Sequence, residues 1–311
     1  MSELLLQRAR ELNLNVRFYR DEPMKNHTSF QIGGPADLLA VPNDRESLLK
    51  LTELAKDLGT RAFFLGNGSN VLVSDEGIEG LVIKTEEALN DISVSGEYVK
   101  AGSGVRLSRL SAFCRENSLT GLEFAQGIPG TVGGAVFMNA GAYGGEMSSV
   151  LYKSEYYKDK RLYTIDKKEH DFSYRHSFFS DRPDCLILSS VFKLTRGDAD
   201  EISAKMADFS RRRKDKQPLN YPSAGSVFKR PEGYFAGKLI EEAGLRGFNV
   251  NGAQVSEKHA GFIINRGGAA CSDVISLIDI IKKTVFEKFS VELTCEIRFI
   301  GRPMKGNEKA V

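Results

Sequence analysis

Phe124-Ala-Gln-Gly127-Ile128-Pro129-Gly130-Thr131-Val-Gly133-Gly134-Ala-Val-Phe-Met-Asn139-Ala-Gly141-Ala142-Tyr-Gly-Gly145 runs for 22 residues without a charged side chain. That length would suit a membrane span. Seven glycines, Pro129, Gln126 and Asn139 argue against one, because such a segment makes a poor helix in any solvent. A backbone that must approach something closely explains it better, since glycine has no Cβ to hold a partner away. A second run of the same kind, Gly66-Asn67-Gly68-Ser69-Asn70, falls between expected strands at 61–65 and 71–73. A dinucleotide site of the helix-dipole kind needs a helix after the turn, and Val71-Leu-Val73 is short and β-branched. The turn therefore reads either as a nest of backbone N–H groups for a phosphate or as a glycine-rich hairpin. Together the two regions suggest an extended cofactor lying across both.

Outward from these stretches, α/β character holds up to about residue 85. An amphipathic helix is expected over 1–14, and a better marked one begins at a capping box, Asn43-x-x-Glu46. Leu48, Leu51, Ala55 and Leu58 follow at helical spacing, and Gly59 fits the stop. Strands are expected at 81–84, 98–101, 152–157, 161–165 and 185–194, with a helix at 107–117 between the second and third. A polar helix at 199–213 ends in the basic run Arg211–Lys216. A loop at 217–233 follows, then a helix at 236–243 and strands at 253–255 and 260–264. The helix at 273–289 carries the stripe Val274, Leu277, Ile278, Ile281 and Val285. Val291–Phe299 alternates apolar with polar residues and reads as a strand with one buried and one wet face.

The chain has 311 residues, more than one domain's length, with 41% hydrophobic and 27% charged residues. This excludes a disordered, collagen-like or disulfide-dense protein. A net charge of +2 is too small for nucleic-acid or membrane binding through the global field. Four cysteines, Cys114, Cys185, Cys271 and Cys295, form no C-x-x-C pair, so reduced buried thiols and no metal are expected. The amino terminus lacks a basic n-region and a cleavage site, so no export is expected.

Three residues could carry chemistry. Arg175, flanked by Phe172, Tyr174, Phe178 and Phe179, reads either as a surface charge or as a guanidinium on an apolar wall that would bind a carboxylate. Ser226 lies in Ser223-Ala-Gly-Ser-Val-Phe-Lys229, which is no nucleophile elbow. Its hydroxyl could still protonate a strongly basic carbanion without a triad. Glu296 stands on the polar face of the last strand, where an exposed neighbour pair with Arg298 is the plainer reading. The basic run reads as a solvated helix end or as a site for a diphosphate-bearing small molecule.

Seven motifs in order resemble the UDP-N-acetylenolpyruvoylglucosamine reductase family, over roughly 20–302. They are Asn26–Gly34, Leu65–Leu72, Gly127–Gly134, Asn139–Gly144, Tyr174–Phe178, Ala224–Lys229 and Glu296–Gly301. The resemblance implies an α+β fold with a two-part FAD-binding region of the vanillyl-alcohol-oxidase/PCMH type and a C-terminal α/β substrate-binding domain. The expected divisions are 1–85 and 86–198 for the two FAD-binding subdomains, 199–302 for the substrate domain and 303–311 for a tail. It implies FAD as cofactor, NADPH as co-substrate, and reduction of a UDP-sugar enolpyruvyl ether. It assigns FAD to Gly66, Asn67, Gly68, Ser69, Asn70, Gly127, Ile128, Pro129, Gly130, Thr131, Gly133, Gly134, Asn139, Gly141 and Ala142. It makes Arg175 and Glu296 the groups that polarise the substrate carboxylate, and Ser226 the proton donor. Tyr174, Lys216, Lys229 and Gln254 become substrate contacts. No inserted tyrosine loop is present, so the chain resembles the shorter subclass of the family. A cytoplasmic monomer without nucleic-acid, membrane or metal partners is expected. Two competing readings are an FAD oxidase and a non-catalytic nucleotide-sugar or flavin binder; the loop 66–70 has no histidine for covalent flavin attachment, which counts against the oxidase.

Overall fold

The computed structural model describes residues 2–304. Met1 of the expected first helix and residues 305–311 of the expected tail lie outside the described residues. Two compact units are each built from three stretches of chain. One holds the chain up to Arg20, Leu38–Asn67 and Gly80–Arg213; the other holds Asp21–Asp37, Gly68–Glu79 and the chain from Lys214 onward. The units interleave where contiguous divisions at 85 and 198 were expected. Strands Val16–Pro23, Pro35–Pro42 and Ile78–Lys84 each pass from one unit to the other along their length, so no single cut separates them.

The first unit contains two hydrophobic cores. In one, helices Ser2–Glu11 and Arg45–Asp57 bury Leu5, Leu48, Leu51 and Ala55 with Leu81 and Ile83 of a strand that pairs in parallel with Ala62–Leu65. Each fully buried Leu or Ile stabilises the fold by roughly 1.5–3 kcal/mol. The cap of the second helix is Asp44, not Asn43. The Asp44 carboxylate accepts the Ser47 N–H at 2.7 Å, while the Asn43 amide donates to Asn15 Oδ1 at 2.7 Å. The stop is as expected, with Gly59 at φ +63°.

The other core lies under an antiparallel sheet in the order Arg161–Asp166, Leu151–Lys158, Leu186–Lys193, Tyr98–Gly102, Ile92–Ser95. Helix Leu107–Glu116 buries Leu107, Leu110 and Cys114 there. The uncharged stretch is not wholly irregular. Val132–Phe137 forms a short helix with Val132, Ala135 and Val136 buried, so tertiary burial overrides the poor helix propensity of its two glycines.

The second unit packs helix Cys271–Phe289 and the shorter Ala236–Glu242 with antiparallel strands Ser223–Ser226, Phe262–Asn265, Ala253–Val255 and Asn249–Val250. The expected stripe from Val274 to Val285 is buried. Asp75 caps this helix from a distant stretch of chain, its carboxylate accepting the Cys271 and Ser272 N–H groups at 2.7 and 2.9 Å. The expected strand Val291–Phe299 is only partly realised. Arg298–Ile300 pairs in parallel with Val71–Val73, and the residues before it make one bridge, Cys295 to Phe228. Alternation correctly buries Leu293 and Ile297, but it reports a two-faced environment, not a neighbouring strand along the whole length.

All four cysteines are free thiols; burial pushes Cys114 and Cys271 up to about 12 and Cys185 to about 11. Among the described residues no helix is long and apolar enough to cross a membrane, and no three metal-ligating side chains cluster.

Candidate active site

In the first unit, Tyr174-Arg175 forms the tip of a two-residue turn closed by paired backbone bonds between Ser173 and His176, both 3.2 Å. Arg175 is left-handed at φ +58°, an unusual conformation for a non-glycine residue and one that collects at functional positions. Its guanidinium donates to Gly141 O at 3.3 Å and lies 5.1 Å from the Tyr174 ring centroid. Of the aromatic residues that flank it in sequence, Phe179 is fully buried, Phe172 stacks on His170 and Phe178 lies edge-on to Phe179. Tyr174 is exposed.

Several glycines of this unit are pressed against protein. Gly66 has no room for a Cβ, which would strike Thr131 Oγ1, and Asn67 Nδ2 donates to Pro129 O at 3.0 Å. The 66–70 stretch is thus bonded to the 127–134 stretch. Gly141-Ala142 pairs with Gly145-Glu146 around Tyr143-Gly144, whose φ values of +52° and +85° suit a tight hairpin turn of the primed type. Tyr143 stacks on Phe209 at 4.7 Å, and Arg213 approaches the same ring. Both ends of the Asn139 amide are engaged by protein: Nδ2 donates to Ser173 O at 3.0 Å, and Oδ1 accepts from Ser148 N at 2.9 Å.

A polar cofactor fits here on chemical grounds. Among the described residues, Ser103 Oγ and Arg213 Nε are buried polar atoms without a hydrogen-bond partner, and both border the 127–134 stretch. Arg213 Nε lies 3.2 Å from where a Cβ on Gly127 would sit, and Ser103 Oγ lies 3.4 Å from the corresponding point on Gly133. Burying a donor unpaired costs roughly 1–3 kcal/mol, a cost an acceptor-bearing ligand would relieve. Neither residue stood out in the sequence. The Gly102-Ser103-Gly104 pair after a strand was the available signal for the first; Arg213 was hidden inside a basic run.

In the second unit, Ser226 ends a strand bulged at Ala224-Gly225, with Ser223 opposite Ile264 and Ser226 opposite Phe262. Its hydroxyl donates to Phe228 O at 3.3 Å. Glu296 lies on the neighbouring segment: its N–H donates to Val227 O at 2.7 Å, and Lys229 N–H donates to Thr294 O at 2.8 Å. Asn70 bridges onward, its Nδ2 donating to Glu296 O at 3.2 Å while its own carbonyl accepts from Arg298 N at 3.0 Å. The structure therefore brings Ser226, Glu296 and the second half of the 66–70 loop together. That loop is no hairpin, because Ala62–Leu65 pairs with Ile78–Lys84 and Val71–Val73 with Arg298–Ile300. Burial pushes the Arg298 guanidinium below its usual range. Gln254 donates to Gly247 O at 2.9 Å and accepts from Arg266 at 3.1 Å. Lys229 is half-buried and Lys216, closing helix Ala199–Lys216, is exposed.

Residues 217–300 match the C-terminal domain of UDP-N-acetylenolpyruvoylglucosamine reductase, and residues 36–154 match an FAD binding domain. The UDP-N-acetylenolpyruvoylglucosamine reductase of Caldanaerobacter subterraneus subsp. tengcongensis is 48% identical over 302 residues, covering 97% of this chain and 99% of that protein. That of Clostridium novyi is 50% identical over 279 residues, 89% and 90% of the two chains. Among solved structures, the UDP-N-acetylenolpyruvylglucosamine reductase (MurB) of Thermus caldophilus is similar at a TM-score of 0.79 and 34% identity, covering 93% of this chain and all of that one.

Proposed function

Because the chain belongs to the UDP-N-acetylenolpyruvoylglucosamine reductase family, we propose that it uses NADPH to reduce the enolpyruvyl group of UDP-N-acetylglucosamine enolpyruvate. The product is UDP-N-acetylmuramate, the enzyme is a UDP-N-acetylmuramate dehydrogenase, and the step belongs to peptidoglycan precursor synthesis. The 66–70, 127–134 and 141–142 stretches would hold FAD, which when bound would supply hydride transfer from NADPH to C3 of the enolpyruvyl group.

The chain's own residues handle the charge that this transfer leaves at C2 and in the neighbouring carboxylate. Arg175 offers that carboxylate a bidentate fork, which a point charge does not reproduce. Glu296 can donate to it only while holding a proton, so the role requires a protonated or proton-sharing carboxyl. Charge that appears only along the reaction path is where preorganised donors act most strongly. Ser226 then delivers its hydroxyl proton to C2. Tyr174, Lys216, Lys229 and Gln254 are assigned to the nucleotide sugar or the nicotinamide phosphates.

The three-part division at 85 and 198 is proposed as the functional organisation, although the cores do not follow it: the one holding Leu5, Leu48 and Leu81 also takes in Tyr157, Leu186 and Leu188. The protein is read as a cytoplasmic monomer that binds no nucleic acid. The observation that carries the reading is the 2.7 Å bond from Glu296 N–H to Val227 O, which sets the carboxyl residue beside the serine. Stopped-flow mixing of the enzyme with each substrate separately tests it. NADPH should bleach the flavin, and the enolpyruvyl nucleotide should restore it. A colourless protein that releases no FAD into acid and takes up none would overturn it.

A further inference from the structure

We propose that Asn139 is a positioning residue for Arg175: its buried amide ties the carbonyl that opens the Arg175 turn to the start of helix Met147–Val150, and so sets where the guanidinium points. The inference rests on the role given to Arg175 above. It also gives Asn139 a task different from the cofactor contact expected of it.

Asn139 is 1% exposed. Its Nδ2 donates to Ser173 O at 3.0 Å, and Ser148 N donates to its Oδ1 at 2.9 Å. Ser173 is the residue whose two backbone bonds to His176 define the turn carrying Arg175. Two residues beyond Asn139, Gly141 O accepts from the guanidinium itself. Two residues before it, Phe137 O accepts from Ser177 Oγ at 2.8 Å and Ser180 Oγ at 2.9 Å. The 137–141 segment is therefore stitched to 173–180 before, within and after the turn.

The residue type follows from the geometry. One short planar group must donate on one side and accept on the other, and the backbone at φ +44° is left-handed, which Asn and Asp tolerate better than other side chains. Arg175 is itself left-handed, so its turn is held away from its easiest conformation by surroundings, and Asn139 supplies part of that constraint.

Asn139→Asp is the test. It keeps the backbone and the acceptor for Ser148 N–H, but sets a carboxylate oxygen against the Ser173 carbonyl. The variant should fold, bind FAD within about twofold of the parent by flavin fluorescence titration, and accept hydride from NADPH at a similar rate. Reoxidation by saturating enolpyruvyl nucleotide should slow by about 10²-fold, the scale of a misplaced catalytic group. In the double variant Asn139→Asp/Arg175→Lys, reoxidation should be no more than about twofold slower than in Arg175→Lys, because both changes remove one function. Should Asn139→Asp not fold, Asn139→Gly keeps the left-handed backbone without the amide and should show the same split.

Normal reoxidation by Asn139→Asp beside a crippled Arg175→Lys overturns the positioning role alone. Multiplying losses in the double variant, or loss of FAD from a folded variant, overturn it as well. Normal reoxidation by Arg175→Lys overturns the role of Arg175 and this inference with it.

Discussion

Arg175 and Ser226 are held in contrasting ways. The Arg175 turn depends on left-handed residues, Asn139 and Arg175 among them, and on side chains that reach backbone carbonyls. Ser226 and Glu296 sit in extended chain bonded backbone to backbone, from Val227 N to Gly261 O and from Glu296 N to Val227 O. Backbone bonds survive a change of side chain, whereas a turn kept by one amide does not. The serine side should therefore keep its geometry when a nearby side chain is changed, whereas the Arg175 turn should lose its own with a single amide.

The largest effect is expected at Ser226. Ser226→Ala should leave the fold and flavin reduction by NADPH nearly intact while slowing reoxidation by about 10²–10⁴-fold, the range of a general acid. Equal slowing of both half-reactions in stopped-flow would remove Ser226 as proton donor. Arg175→Lys should slow the same half-reaction by about 10²–10³-fold, because the second donor of the fork is lost. A milder loss than at an exposed arginine such as Arg212 would contradict the carboxylate role.

Stability should show the same contrast on a smaller scale. Gly66→Ala drives a Cβ into Thr131 Oγ1 and should cost roughly 1–3 kcal/mol. Gly225→Ala meets no atom within 4 Å but must hold φ +80°, so about 1–2 kcal/mol is expected from the backbone alone. Urea titration followed by far-UV dichroism ranks the two, and a neutral Gly66→Ala would mean the Thr131 side chain yields.

The smallest effect concerns pH. Fully buried His170 is bonded to Asp166 O and Ser154 Oγ, and burial lowers its pKa below the ordinary 6.5. The unfolded chain then binds a proton that the native state refuses. The His170 contribution is complete above pH 6.5 and is lost as pH falls toward the depressed folded value. His259 of the second unit is lowered by burial too. Urea midpoints between pH 8 and 5 should fall less in His170→Gln than in the parent; identical slopes would clear His170.

Helix Cys271–Phe289 was legible almost to the residue because its apolar stripe repeats within one element. Asn43 and Asp44 are equally good capping types, and only the distant Asn15, which takes the Asn43 amide, leaves Asp44 as the cap. Alternation runs through Val291–Phe299, but a partner strand is present only for Arg298–Ile300, so the pattern reaches further than the strand. Among candidate site residues, the motifs marked Arg175, Ser226 and Glu296, while Ser103 and Arg213 were visible only once their buried, unpartnered atoms were placed.

By itself the sequence determined the longer helices, the two glycine-rich runs and, through seven motifs in order, which family the chain belongs to. These are properties of neighbouring residues and short spacings. Only the tertiary structure decided that Asn70 holds the Glu296 carbonyl across 226 positions, and that Asn139 reaches Ser173 across 34. A hydrogen bond between residues that far apart exists only after the intervening chain has packed, and no local pattern encodes it.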